Sequence, residues 1–295
     1  MSYTSLNDYI MNTYGHKMYK LSLDGGMTCP NRDRSKGTRG CIFCSEGGSG
    51  EFACSGESID EQIENAKRLV SSKCRNVPQK NGYIAYFQAY TNTYAPVKRL
   101  RELFMPVIER EDIGILSIAT RPDCLPDDVL DLLEEMNRIK PVWVELGLQT
   151  IHEESARRMR RGYTLDVFNR AVEELHRRNI KVIVHLILFW PGETVEDMKE
   201  SVRYVCDKNV FGIKLQMLQV LKETDLAYEF EAAPFELPDR ETYADTLKEL
   251  ISIIPENVVI HRLTGDGPKK LLIEPKWCAD KKATINAINR VLKEN

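Results

Sequence analysis

Short, near-continuous apolar runs alternate along this chain with longer stretches whose apolar positions recur every three or four residues. KLSL (20–23), YIAYFQ (83–88), ILSIAT (115–120), VWVELGLQ (142–149), KVIVHLILF (181–189) and GIKLQML (212–218) have the length and composition of strands. Helical patterns lie between them. One covers 58–73, with Ser58 as N-cap and Glu61 three residues on. Others cover 96–108, a segment opened by Pro126 and two aspartates, two helices within 152–178, and 194–208 with Thr194 as cap. Strands this apolar are buried on both faces, which predicts a parallel sheet with helices packed outside. Six β-then-α units predict an α/β fold, a partial (β/α)6 TIM-like barrel over residues 1–235. Beyond that the rhythm changes. PDRETYADTLKELISII reads as a helix, VVIHRL as a short strand and 279–295 as a last helix: a C-terminal α/β extension over 236–295, packed on the barrel. Functional groups of such a barrel belong at the C-terminal ends of its strands.

The chain has 295 residues, 42% hydrophobic and 29% charged, with a formal net charge of -3. That suffices for a sizeable core and gives no global attraction to nucleic acid. Basic residues cluster only locally, at Arg157, Arg158, Arg160 and Arg161, and at Lys269 and Lys270. No apolar stretch follows a basic start, and VIVHLILFW (182–190) is too short to span a bilayer. A soluble, cytoplasmic protein with no membrane partner is expected. In a reducing compartment its eight cysteines are not expected to form structural disulfides. Cys54, Cys74, Cys124, Cys206 and Cys278 are scattered. Cys29, Cys41 and Cys44 are gathered in CPNRDRSKGTRGCIFC, directly after the first strand.

Cys41 and Cys44 form a C-x-x-C pair, and Cys29 lies twelve residues upstream across a loop bearing Gly37 and Gly40. Three thiolates on a [4Fe–4S] cluster leave one iron open for a substrate or cofactor, as an open zinc position does in catalytic sites. One alternative is a structural zinc with Cys54 as fourth ligand, which makes the chain a zinc-stabilised binding protein without catalysis. Another is three unrelated buried cysteines. The place at the end of strand one favours catalysis, because structural zinc more often pins a small domain that lacks a core.

With this loop after strand one, the chain resembles radical S-adenosylmethionine (SAM) enzymes from about residue 15 to 220. The first cysteine gap is longer than the commonest C-x3-C-x2-C, as in enzymes similar to the radical SAM domain of the Elongator catalytic subunit. YGHKMYKLSLDGGMTCPNRD, RLTGDG and PKWCADKKATINAIN resemble the narrower YhcC/YtqA-type subfamily. The resemblance implies that Cys29, Cys41 and Cys44 hold a [4Fe–4S] cluster. It implies SAM on the open iron, cleaved reductively to a 5′-deoxyadenosyl radical, and a reductant such as flavodoxin or ferredoxin. It also implies cofactor contacts. Phe43 offers its backbone to adenine. Gln88 and Thr91, with Asn92, face the methionine amine. Gln149 meets the ribose, Arg161 the carboxylate, and His185 lies near the ribose, with Glu145 on the same strand face as Gln149.

The same residues also fit plainer duties. QAYTNTY reads as a polar turn, RRMRR as a solvated helix face, and His185 as a satisfied core histidine. A carboxylate such as Glu145 inside a barrel is costly unless paired or used. For the substrate, the likeness points to a tRNA wobble uridine with a 5-aminomethyl-type side chain (xnm5s2U34), acted on by a transferase or oxidoreductase. The basic clusters, with Tyr90, Tyr94 and Trp190, then serve phosphate contact and base stacking. A radical SAM enzyme acting on a small metabolite is the alternative, favoured by the near-neutral charge. Arg121, in ATRPD, points to the site mouth, and Asp266 faces substrate or turns the chain.

Overall fold

Each of the six apolar runs forms a strand: β1 (Tyr19–Leu23), β2 (Tyr83–Phe87), β3 (Ile113–Thr120), β4 (Val142–Gln149), β5 (Lys181–Leu188) and β6 (Gly212–Met217). The computed structural model describes residues 3–48, 50–54, 56, 58–71, 77–265 and 267–293. In it these strands pair in chain order and all in parallel. The short β7 (Val220–Leu221) follows. Next comes β8 (Val259–Arg262), which pairs parallel with β6 as the seventh strand of the same sheet. β9 (Leu272–Glu274) pairs antiparallel with β7. The result is an open, curled α/β half-barrel. Both rims are covered by main chain: Cys54 N–H donates to Ser22 O (2.9 Å), and Ile260 N–H to Thr4 O (2.8 Å). Covering the outer strands removes a template for edge-to-edge association.

The helices are α1 (Leu6–Tyr14), α2 (Ile59–Ser71), α3 (Val97–Glu109), α4 (Asp127–Ile139), α5 (Glu153–Arg158), α6 (Leu165–Arg177), α7 (Val195–Asp207), α8 (Asp225–Ala232), α9 (Arg240–Ser252) and α10 (Lys281–Lys293). The apolar faces of α3, α4, α6 and α7 cover the outside of the sheet. Leu100, Phe104, Leu133, Phe168 and Val205 among them are fully buried. The Ser58 cap forms, with Glu61 N–H donating to its hydroxyl at 3.2 Å. So does the cap of α7: Asp197 N–H donates to Thr194 Oγ1 (3.2 Å) and Thr194 N–H returns to Asp197 Oδ2 (2.7 Å). Thr194→Ala is expected to cost about 1 kcal/mol, a fall in Tm of about 2–4 °C, with Thr194→Ser close to wild type. An unchanged Tm in the alanine variant counts against that cap.

Helix α1 lies before the first apolar run and has its own signal, the capping box in SLND. Ser5 Oγ accepts from Asp8 N–H, and the Asp8 carboxylate accepts from Ser5 N–H, both at 3.2 Å. Its Ile10 packs on Ile84, Ile115, Trp143 and Ile183, with Tyr9, Tyr14 and Phe211 around them. This apolar plug closes the N-terminal end of the half-barrel, leaving the opposite end to chemistry.

Candidate active site

The loop that leaves β1 brings Cys29, Cys41 and Cys44 to the wall of a cavity of ≈ 260 Å³. Backbone bonds shape the loop: Arg32 N–H donates to Cys29 O (2.8 Å) and Cys44 N–H to Cys41 O (3.0 Å). Ile42 clamps the C-x-x-C turn between two elements. Its N–H donates to Met159 O (3.2 Å), and its carbonyl accepts from Leu226 N–H (2.8 Å). Asn31 Nδ2 donates to Arg160 O (2.6 Å) and lies 3.5 Å from Cys41 Sγ. The Arg32 guanidinium donates to Cys44 O (3.0 Å) and Ser45 O (2.6 Å). Close approach of Asn31 requires glycine at 162, where φ is +80° and a Cβ would lie 2.7 Å from Asn31 Oδ1.

Burial pushes the Cys41 thiol up to about 12, helped by Cys44 and Cys29 and opposed by Arg121. Burial raises Cys44 too, against the pull of Arg32. The two guanidiniums therefore supply positive charge where thiolates are needed. Arg121 is itself fixed by Asp123 (2.9 and 3.0 Å), which also holds Lys36 (2.6 Å). Among the described residues, no set of three cysteine sulfurs lies within 4.8 Å of one another. A zinc tetrahedron with Zn–S bonds of about 2.3 Å holds its sulfurs about 3.8 Å apart. A cluster that takes one thiolate per iron imposes no such approach. Cys54, the fourth ligand of the zinc alternative, is buried against β1. Cys74 lies outside the described residues.

Of the eleven residues singled out for the cluster and cofactor, ten line this one cavity and Asn92 does not. Gln88 follows β2, its N–H donating to Leu23 O at 3.2 Å. Thr91 is 1% exposed, and its hydroxyl has no hydrogen-bond partner. A buried polar atom at a cavity wall without a partner marks a place for a ligand group. Asn92 ties the turn instead, donating to Phe87 O (3.1 Å) and Ala119 O (3.0 Å). Gln149 ends β4 at φ +71°, where the register with β5 shifts. It lies over Gly147: a Cβ there would sit 2.7 Å from Gln149 Nε2.

Arg161 is 2% exposed, so it is not part of a solvated helix face. Its guanidinium donates to Tyr163 O (3.0 Å), Leu148 O (3.3 Å), Thr150 O (2.8 Å) and Glu153 Oε1 (3.0 Å), and lies 4.8 Å over the Tyr163 ring. Two of the other three cluster arginines are also engaged, Arg158 with Glu229 (3.3 Å) and Arg160 with Asp225. The expected basic patch is therefore partly neutralised at this point, while Lys269 and Lys270 remain exposed. Trp190 is 1% exposed and packs edge-on to Phe43 (6.2 Å), which corrects its expected place at the mouth. Asp266 lies outside the described residues.

The floor of the cavity was only half anticipated. Glu145, fully buried, accepts from Lys20 Nζ (3.2 Å), Ser117 Oγ (2.7 Å), His185 Nε2 (2.7 Å) and Lys214 Nζ. Lys214 also donates to the Tyr86 hydroxyl (3.1 Å). The surrounding cations hold the Glu145 carboxyl well below its usual range despite burial. Burial and Lys214 lower His185 to about 4, so its ring is neutral at neutral pH and Nε2 carries the donated proton. The folded pKa lies below the unfolded value of about 6.5. The unfolded chain therefore binds the extra proton between those values, and stability falls as pH drops through that window. His185→Gln is expected to lose less stability than wild type between pH 7 and 4 in denaturant titrations. Identical acid losses would refute the buried neutral ring. Lysines inside KLSL and GIKLQML were the missed signal, since a lysine within a buried strand implies a partner.

Comparison with known proteins fits this geometry. The model of the radical SAM superfamily matches residues 35–205, and that of the radical SAM C-terminal domain matches 210–294. YtqA of Bacillus subtilis (strain 168) is 41% identical over 98% of this chain and 89% of its own length. YhcC of Escherichia coli (strain K12) is 36% identical over 96% and 89%. A tRNA uridine(34) acetyltransferase of Methanocaldococcus infernus is 25% identical over 54% of this chain and 30% of its own length. Among solved structures, Elp3 of Methanocaldococcus infernus, with its N-terminus deleted, superposes with a TM-score of 0.67 at 16% identity. The match covers 93% of this chain and 63% of that one. Matched nearly end to end by YtqA and YhcC, this half-barrel with its three-cysteine loop belongs to the radical SAM superfamily, whose members use a [4Fe–4S] cluster and S-adenosylmethionine.

Proposed function

We propose that the chain is a radical SAM enzyme that modifies a tRNA wobble uridine bearing a 5-aminomethyl-type side chain. In this reading Cys29, Cys41 and Cys44 hold the cluster by three corners. The observation that carries it is the meeting of those thiols with the partnerless Thr91 hydroxyl in one cavity. Gln88 and Thr91 receive the methionine amine. The Phe43 backbone, Gln149 and His185 hold the nucleoside, and Arg161, whose guanidinium already donates to three backbone carbonyls and to Glu153, has one N–H left for the carboxylate. Glu145 keeps the floor beneath them in register. When bound, the two groups supply a 5′-deoxyadenosyl radical able to take a hydrogen atom from an unactivated carbon. The chain's own part is to set this geometry, to put Arg32 and Arg121 beside the thiolates, and to seal the barrel below with its apolar plug.

The substrate reading rests on the similarity to the tRNA uridine(34) acetyltransferase and on the shared fold with Elp3. Its test is anaerobic incubation of the reconstituted protein with SAM, a one-electron reductant such as flavodoxin or ferredoxin, and bulk tRNA, followed by nucleoside mass spectrometry. The expected result is 5′-deoxyadenosine together with a mass change confined to 5-substituted wobble uridines. Formation of 5′-deoxyadenosine with every tRNA nucleoside unchanged sinks the substrate. Absence of 5′-deoxyadenosine sinks the chemistry.

A further inference from the structure

Between Cys29 and Cys44 the chain carries four basic residues and one acidic, in a molecule whose formal net charge is -3. Arg34, Lys36 and Arg39 stand in solvent on this loop. The segment beside it adds Arg157 and Arg158, both exposed, and the part-exposed Arg160. Hydrogen bonds sew the two segments into one face. Asn31 Nδ2 donates to Arg160 O (2.6 Å), Ile42 N–H to Met159 O (3.2 Å) and Lys36 Nζ to Gly162 O (3.0 Å). Acidic neighbours do not cancel the charge of this face. Asp225 alone answers both Arg39 and Arg160, and Asp123 both Lys36 and Arg121. Glu229 pairs with Arg158 (3.3 Å), and Asp33 turns back on Ser35 N–H (3.0 Å). Arg34 and Arg157 have no acidic partner among the described residues. Set against Asp33 and the exposed Glu154, an excess of basic charge remains. It lies in water, where it costs little to hold and is free to attract an acidic partner.

None of these six basic side chains lines the cavity. A substrate must put its reacting carbon inside, so this face serves a partner that stays outside. It is nevertheless next to the thiols. Cys41 Sγ lies 3.6 Å from the backbone carbonyl of Arg160, whose side chain is 40% exposed. One residue therefore separates solvent from a cluster thiol. An electron needs such a short path and no opening. An RNA, the other polyanion of matching sign, must also reach the cavity mouth, whose wall includes Gly265, Gly267 and Pro268 on another part of the chain.

We propose that this face docks a small acidic one-electron carrier protein, which passes its electron through the loop to the cluster behind it. It depends on the preceding reading only in that Cys29, Cys41 and Cys44 hold a cluster that is reduced by one electron. With a flavoprotein as donor, the anionic flavin hydroquinone loses one electron and becomes the neutral semiquinone. The oxidised cluster gains that electron, and no proton changes hands. Arg34 and Arg157, the members of the face without an acidic partner, steer and orient the carrier.

The test titrates oxidised flavodoxin, an acidic flavoprotein, into the anaerobically reconstituted protein by calorimetry at low ionic strength. Saturable binding is expected, weakening as salt rises and about tenfold weaker when Arg34→Glu and Arg157→Glu are combined. Each substitution alone gives part of the loss, so Arg157→Glu, outside the cysteine loop, carries the test should Arg34→Glu disturb that loop. Lys282→Glu, exposed on α10, makes the same change of charge and is expected to bind as wild type does. Dithionite, a small reductant, is expected to raise the EPR signal of the reduced cluster equally in all of these proteins. No saturable binding, undiminished binding in the arginine variants, an equal loss in Lys282→Glu, or a dithionite signal lost from both arginine variants each overturns the docking face. So does a loss of tRNA retention on filters in the arginine variants with flavodoxin affinity unchanged, which gives the face to RNA. Neither turnover nor tRNA modification enters the measurement. Failure to bind flavodoxin with a dithionite-reducible cluster in place therefore removes the docking face alone, whereas no reducible cluster in the wild type removes the reading of the three cysteines.

Discussion

Cys41→Ala is expected to strip the protein of its cluster and of SAM cleavage together. Iron and sulfide fall to background after anaerobic reconstitution, and 5′-deoxyadenosine formation falls by more than about 100-fold, beyond the 10–100-fold typical of losing a supporting partner of a metal ligand. The reason lies in the geometry. Cys41 sits at the head of the turn that Ile42 clamps to Met159 and Leu226, beside Asn31 and in the field of Arg121. Cys54 is buried against β1, and Cys206 is buried in α7. Cys54→Ala is therefore the control, expected to keep its iron. Asn31→Ala should fall between the two, since it loosens the turn without removing a ligand. Iron retained in Cys41→Ala, or lost equally in Cys54→Ala, breaks the assignment.

The strands were legible because a segment buried on both faces must be apolar throughout, and ILSIAT and VWVELGLQ have no solvent face to encode. The cysteine loop was legible for a different reason: three thiols in sixteen residues are chemically costly to keep for packing alone. What stayed hidden depends on long-range pairing. VVIHRL reads as a strand, but nothing local says that it completes the sheet beside β6, where it covers what would otherwise be an open edge. Arg161 reads as one of four arginines on a helix face. Only the fold, by folding RRGYT back under the end of β4, distinguishes it from its exposed neighbours. Lys20 and Lys214 lie 194 positions apart in the chain and meet only at Glu145, so their common partner was invisible until the barrel curled. No helix among the described residues is long and apolar enough to cross a membrane, in line with the short apolar runs of the sequence.

The largest stability effect is expected at that meeting point. Glu145→Gln keeps the shape of the side chain but removes the one negative charge of the layer, and it turns an acceptor towards its neighbours into a donor. Lys20, Lys214 and His185 then lose their shared partner inside the barrel. Removing one member of a buried charge network costs about 3–5 kcal/mol, here a fall in Tm of roughly 10 °C. Lys214→Met should cost much less, because it leaves Lys20 and Glu145 balanced, and the methionine follows the apolar part of the lysine chain. The double variant Glu145→Gln, Lys214→Met should then recover part of the loss, since residues in one network are not additive. Denaturant titrations of the wild type, both single variants and the double variant close the cycle. Additive losses mean that Lys214 does not feel Glu145 and that the layer is no network. A Glu145→Gln variant as stable as wild type means that the folded chain sheds a proton from the lysine pair rather than bury its charge.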